Sequence, residues 1–385
     1  MPEDLKPYVT PRPVVFTLLF VAAVVLFLAV SGLSRVYHAQ QDSLGQRWSG
    51  RGIIDLNAGR FDRAVIDFRT ALFYSRDNYT YQLHLAEGLI GLKRTSEAYA
   101  YLINLWDREP ENGSVNLAIA RIAAEDGRTE QALRYYHNAV YATWRGDQEV
   151  KRRDTRLELI NYLLRINSKA EAQAELMALE ANLLETNFLE ANLEDGSAQQ
   201  ANLGNLFLQT RDYDHALAAY RQSLKADHHN HAALAGAGVA AFQLGHYPAA
   251  QKYLQDAVTA DPGDAQSAAE LKTTELVVNM DPFRRQLSVA ERDRIVLEAF
   301  AAAGERLKSC SVSSPSYQST QAAQALAEAW TTMEPRISVR GLRQNPDLVE
   351  KAMDLVFSIE RQANVTCGPP SGADMALLLI AKLHD

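Results

Sequence analysis

Residues 231–264, HAALAGAGVAAFQLGHYPAAQKYLQDAVTADPGD, decide the fold. Ala237-Gly238 removes side-chain bulk from the middle of an apolar run, so a second helix can approach it closely. Gly245 supplies a turn residue after that run. Ala250 then falls where a returning helix would cross the first. Leu254 and Ala257 continue the buried stripe at helical spacing, and Pro262 cannot continue a helix. Two antiparallel helices joined by a tight turn satisfy every one of these positions.

The same 34-residue pattern extends N-terminally. Residues 197–230 carry Leu203-Gly204, Asp212-Tyr213, Ala216 and Tyr220. Residues 153–186 keep Leu159, Ala172 and Leu176. Residues 113–146 carry Ile119-Ala120, Gly127, Ala132, Tyr136 and Ala139. Residues 79–112 hold Leu85-Ala86, Ala98, Leu102 and Pro110, and residues 45–78 hold Trp48, Gly52, Gly59, Ala64, Phe68 and Ala71. This periodicity resembles the tetratricopeptide repeat family, with its small residue at position 8, Ala at 20, aromatic residue at 24 and Pro at 32. The resemblance implies an all-α solenoid of about six helical hairpins. Residues 265–278 read as its capping helix, closing a solenoid over 45–280.

N-terminal to the repeats, Val14–Leu33 is twenty residues without a charge. A helix of that length spans about 30 Å, the thickness of a hydrocarbon core. Pro11 and Pro13 mark its start and Ser31-Gly32 its end, with a short tail over 1–13. The run exceeds a signal-peptide core, although Ala29-Val30-Ser31 has the pattern of a cleavage site. We expect a single-pass transmembrane anchor. Lys6 and Arg12 on one side and Arg35, Arg47 and Arg51 on the other scarcely discriminate its orientation. The expected location of the soluble part is extracytoplasmic, the periplasmic side of a bacterial inner membrane.

Between the third and fourth units an insertion is expected near Asp147–Arg152. Residues 170–195 read as one long acidic helix with seven carboxylates and no base. That face is either solvated or a docking strip for a basic partner. Residues 281–385 read as a small helical domain of no recognised family. Ser288-Val289-Ala290-Glu291 is a capping box for a helix to about Lys308, followed by a break at 309–317 and a helix over 318–333. Asn345-Pro346 opens a further helix whose face is Leu348, Ala352, Val356 and Ile359. Ser371–Asp374 caps a last helix that buries Leu377, Leu378 and Ile380. Cys310 and Cys367, the only cysteines, each follow a helix and can either form a disulfide or remain buried thiols.

The net charge of −8 argues against a concentrated basic face for nucleic acid. No phosphate-binding glycine loop or catalytic motif occurs, so no cofactor and no enzymatic activity are expected. His228-His229-Asn230-His231 reads as a polar turn; adjacent histidines seldom converge on one ion.

The resemblance places a partner-binding groove on the first helix of each unit: Ile53, Leu56, Leu83, Glu87, Ile90, Leu117, Arg121, Leu157, Asn161, Leu164, Asn205, Leu208, Val239 and Phe242. In chaperone-docking members of the family, Lys at position 5 and Asn at position 9 grip a terminal carboxylate. Here Asn161 and Asn205 stand at position 9, but Leu157 and Ala201 replace the lysine, so that clamp is incomplete. The groove's occupant is either a partner helix or this chain's own C-terminal helices. The resulting expectation is a membrane-anchored scaffold for protein partners, with self-association open. The alternatives are a cytoplasm-facing receptor for client proteins, and an enzyme or ligand-binding unit in the C-terminal domain.

Overall fold

The computed structural model describes residues 12–186, 193–313 and 321–384. Every regular element among them is helical, and the single β feature is an isolated bridge between Asn112 and Thr143. The chain forms two compact bodies, residues 1–166 and 167–385.

The first body contains α1 (Arg12–Asn57), α2 (Phe61–Tyr74), α3 (Tyr79–Gly91), α4 (Thr95–Arg108), α5 (Gly113–Glu125), α6 (Thr129–Tyr141) and α7 (Gln148–Arg165). The second contains α8 (Lys169–Thr186), α9 (Leu193–Thr210), α10 (Tyr213–Ala226), α11 (His231–Gln243), α12 (Tyr247–Ala260), α13 (Ala265–Met280), α14 (Val289–Ser313), α15 (Gln321–Met333), a 3₁₀ turn (Glu334–Arg336), α16 (Val339–Gln344), α17 (Asp347–Thr366) and α18 (Ala373–Ala381).

Burial follows the 34-residue register. The position-20 alanines Ala64, Ala98, Ala132, Ala172, Ala216 and Ala250 have no exposed surface. Position 24 is equally closed at Phe68, Leu102, Leu176, Tyr220 and Leu254. A Cβ on Gly52 would stand 2.7 Å from the Phe68 ring, which explains the small residue at position 8. At position 15 the backbone is left-handed in every unit: Gly59, Lys93, Gly127, Asn167, Arg211 and Gly245 have φ between 61° and 75°. Three of the six units thus hold that turn without glycine. First helices are capped by short polar side chains, such as Asn78 accepting from Tyr81 N at 3.1 Å and Asn112 from Val115 N at 3.3 Å.

Several expected boundaries move. The helix that carries the apolar segment does not stop with it: α1 continues unbroken past Ser31-Gly32 to Asn57 and serves as the first helix of the first hairpin. One Gly costs a helix only about 1 kcal/mol, too little to stop one packed further along. The six extra residues near Asp147–Arg152, which set Ala132 and Ala172 40 rather than 34 residues apart, lengthen a helix: Asp147 caps α7 through Val150 N at 3.2 Å, and 148–152 are its first turns. The expected helix over 170–195 falls partly outside the described residues. α8 closes at Thr186 and Leu193 opens α9, while 187–192 lie outside the described residues.

In the second body the C-terminal helices share one core with the last repeat. Tyr247, Val277 and Val278 join Val296, Phe300, Trp330, Ala352, Met353, Val356 and Ile380. The Phe300 and Trp330 rings stack at 3.7 Å. Ser288 Oγ accepts from Glu291 N at 3.2 Å, as the capping box requires. α14 runs past Lys308 to Ser313, so Cys310 lies inside a helix and does not follow one. Cys310 is bonded to Cys367, with Cα atoms 5.5 Å apart. Asn345 closes α16, and Pro346 takes the cap position of α17. Gly372, without a side-chain bond, precedes α18; Leu377 and Ile380 are buried there, whereas Leu378 is half-buried. Leu383 packs over the turn at Gly245.

Candidate partner-binding face

The candidate face follows from helix periodicity. Within each first helix, one stripe packs on its own second helix, and the adjoining stripe is left for neighbours or a ligand. None of the fourteen groove residues is buried: each is half-buried or exposed, Ile53 at 37%. In the first body α3 lies against both α1 and α5. This brings Ile53, Leu56, Leu83, Glu87, Ile90, Leu117 and Arg121 onto consecutive helices, followed by Leu157, Asn161 and Leu164 on α7. In the second body α11 lies against α9 and α13, placing Asn205 and Leu208 beside Val239 and Phe242.

Polar contacts subdivide this apolar surface. Arg121 donates to Glu158 from Nε at 2.8 Å and from Nη2 at 2.6 Å, bridging α5 and α7. The Tyr136 hydroxyl donates to Glu158 at 3.0 Å. Burial alone would raise the Glu158 pKa, but the Arg121 hydrogen bond and charge outweigh it and hold the carboxyl below the usual glutamate range. Burial and the neighbouring Glu158 push Tyr136 upward. Glu158 is not legible from register alone, because it stands one position beyond those assigned to the groove. The signal for it is an opposite charge 37 residues after Arg121. Glu87 pairs with His84 Nδ1 at 2.8 Å, and the His84 ring stacks on Phe68 at 5.5 Å. Asn205 accepts from the Tyr220 hydroxyl at 2.6 Å, so part of its hydrogen-bonding capacity is already committed.

At the C-terminal end the face deepens into a cavity of about 230 Å³. Val239, Phe242 and Gln243 of α11 form one wall, and Ala269, Glu270 and Thr273 of α13 form the other. Phe242 also meets Tyr247 edge-on at 5.2 Å and packs against the terminal core. The cap helix therefore contributes residues that the repeat register does not assign to the face.

A second feature has no counterpart in the sequence pattern. Thr143 N donates to Glu111 O at 3.0 Å, and Gly113 N to Thr143 O at 3.1 Å, tying together two successive loops. Trp144 covers Gly113 and donates from Nε1 to Ala139 O at 3.0 Å. Beside this tie, Tyr79 sits under the guanidinium groups of Arg108 and Arg145, 5.4 and 5.7 Å from its ring centre. Burial, with Glu109 adding to it, pushes the Tyr79 hydroxyl to about 12.

The histidine-rich turn has a structural job. Asn230 caps α11 through Ala233 N at 3.0 Å, and His231 Nε2 lies 3.2 Å from Asp264 Oδ2. Among the described residues no three His, Cys, Asp or Glu side chains gather as metal ligands.

Stacked antiparallel hairpins with a repeated small-residue crossing define a helical-repeat protein. The chain carries tetratricopeptide repeats, and residues 202–265 match that family. Among solved structures, the C-terminal part of a TPR repeat-containing protein from Cytophaga hutchinsonii is 13% identical at a TM-score of 0.44, over 64% of this chain and 92% of its own. Pseudomonas aeruginosa pilF is 16% identical at 0.41, over 61% and 98%. YrrB, described as a TPR protein with an unusual peptide-binding site, is 15% identical at 0.40, over 53% and 97%. No curated protein matches the chain.

Proposed function

We propose that this protein is a single-pass, membrane-anchored scaffold that recruits protein partners to the concave face of its repeats. The observation that carries the reading is the half-exposed apolar stripe of Leu83, Ile90, Leu117, Leu157 and Leu164 on successive first helices. Water-exposed apolar surface of this extent marks a binding site. The stripe fits an amphipathic helix or extended peptide, with Glu87, Arg121 and Asn161 supplying polar contacts. Recruitment is its chemistry, since confinement to a bilayer raises the effective concentration of weakly held partners.

Anchoring is supported by the N-terminal half of α1. Phe16, Phe20, Phe27 and Leu33 are each more than 60% exposed, an arrangement that water would penalise and lipid would satisfy. Cleavage after Ser31 would cut a continuous helix, which favours an uncleaved anchor over a signal peptide. The Cys310–Cys367 disulfide favours an oxidising, extracytoplasmic compartment for the soluble part. The corresponding organisation is a tail over 1–13, an anchor over 14–33, a solenoid over 45–280 and a C-terminal helical region over 281–385.

Photocrosslinking in native membranes tests the proposal. A crosslinker at Leu117 or Leu157 should yield defined protein adducts, and one at the outward-facing Phe73 should not. Equal adducts at all three positions, or none, would remove the concave face as the binding surface. Protease protection in intact cells tests the side of the membrane.

A further inference from the structure

We propose that α1 is a mast that holds the first body edge-on to the bilayer, with its 75–78, 109–112 and 142–147 loops facing the lipid and its groove helices standing along the membrane normal. The inference rests on the membrane-anchor reading and goes beyond it by assigning an orientation and a height. Its basis is the continuity of α1. The apolar segment, the exposed stretch through Arg35, Val36 and Tyr37, and the first packed residues Gly45 and Ser49 belong to one helix without a break. A flexible linker would let the repeats tumble over the membrane; a helix fixed at both ends does not.

Contacts in the first hairpin set its polarity. Ser75 Oγ, just after α2, donates to Asp42 Oδ1 at 3.0 Å. A Cβ on Gly45 would lie 3.3 Å from Ser75 Oγ and from the Tyr81 ring at the start of α3. The end of α2 and the start of α3 therefore lie beside residues 42–45 of α1, and the repeat puts the 109–112 and 142–147 loops on the same edge. The opposite edge is formed by turns near residues 58–60, 92–94 and 126–128, where Arg60 pairs with Asp55 and Lys93 with Glu125. The lipid-facing edge is tied laterally by the bridge between Asn112 and Thr143.

Helical rise converts this register into height. From Leu33 to Gly45 is about 18 Å, and from Leu33 to Asn57 about 36 Å. The groove helices occupy the layer between those heights. A binding segment rooted in the same bilayer reaches the near edge with about five extended residues and the far edge with about eleven.

The test uses the full chain in lipid nanodiscs. Asp77→Cys on the near edge and Ala58→Cys on the far edge each receive a maleimide fluorophore; the native cysteines are disulfide-bonded. Energy transfer to acceptors on the lipid headgroups should place the label at 77 about 20 Å closer to the bilayer than the label at 58. Insertion of Gly-Ser-Gly-Ser-Gly after Tyr37 should leave co-flotation with lipid intact and erase that difference. Equal distances in the uninterrupted protein would overturn the mast. A difference that survives the insertion would also overturn it, because the edge would then be held by its own contacts with lipid. Failure of the uninterrupted protein to float with lipid would reject the anchor itself, and the mast with it.

Discussion

Arg121 and Glu158 meet through two hydrogen bonds between α5 and α7, one repeat apart, and Tyr136 donates to the same carboxylate. Arg121→Ala leaves a half-buried carboxylate without its counter-charge. Because both side chains retain solvent contact, the expected loss is only about 1 kcal/mol. The folded-state pKa of Glu158 is depressed, so its stabilisation is present above the ordinary glutamate value and is lost as pH falls through the lower, folded one. Glu158→Gln should flatten this acid limb in thermal melts followed by circular dichroism. An unchanged acid limb would exclude the pair as its source.

Two glycines in α1 should respond in opposite directions. A Cβ added to Gly50 would meet nothing within 4 Å, whereas one on Gly52 would run into the Phe68 ring. Gly50→Ala should stabilise by about 0.5–1 kcal/mol through helix propensity alone. Gly52→Ala should destabilise by about 1–3 kcal/mol by overpacking. Urea titration of the two variants measures both signs.

Arg211 holds the position-15 turn of the fifth unit at φ 65°. A left-handed residue with a Cβ costs about 1–2 kcal/mol. Arg211→Gly should therefore raise stability by about 1 kcal/mol, while Gly245→Ala, at φ 75° and beneath Leu383, should lower it. Comparing their melting temperatures tests whether the turn geometry is shared.

Glu360 on α17 is fully buried, and neither carboxylate oxygen has a hydrogen-bond partner. Burial, with the nearby Asp374 charge added and Arg306 opposing, raises its pKa to about 8. A folded state that keeps this proton loses stability as pH rises from the ordinary glutamate value towards 8. Glu360→Met should gain about 1–3 kcal/mol at neutral pH and remove that slope. A destabilised variant would mean that the carboxyl has a partner worth keeping.

The repeats were legible because hairpin packing writes itself into sequence at fixed intervals: Ala64 to Ala250 recur, fully buried, where two helices cross. The continuity of α1 was not legible. Ser31-Gly32 resembles a terminator, yet the helix runs through it to Gly45, which packs beside Ser75 and Tyr81. The same holds for α14, where Ser309 and Ser311 are tolerated inside a helix fixed by Cys310 and its partner. Groove residues such as Leu83 and Leu117 followed from register, but Glu158 and the α13 wall of the cavity depended on neighbours that only the fold brings close. The tie between Glu111 and Thr143 left no periodic trace, since backbone atoms make it.

The bond between Cys310 and Cys367 gives the protein an unusual response to nicking. A protease that severs the backbone anywhere between those two positions leaves both fragments covalently joined, so a non-reducing gel should show one band and a reducing gel two. A single cut in this stretch would then break the polypeptide without releasing either piece.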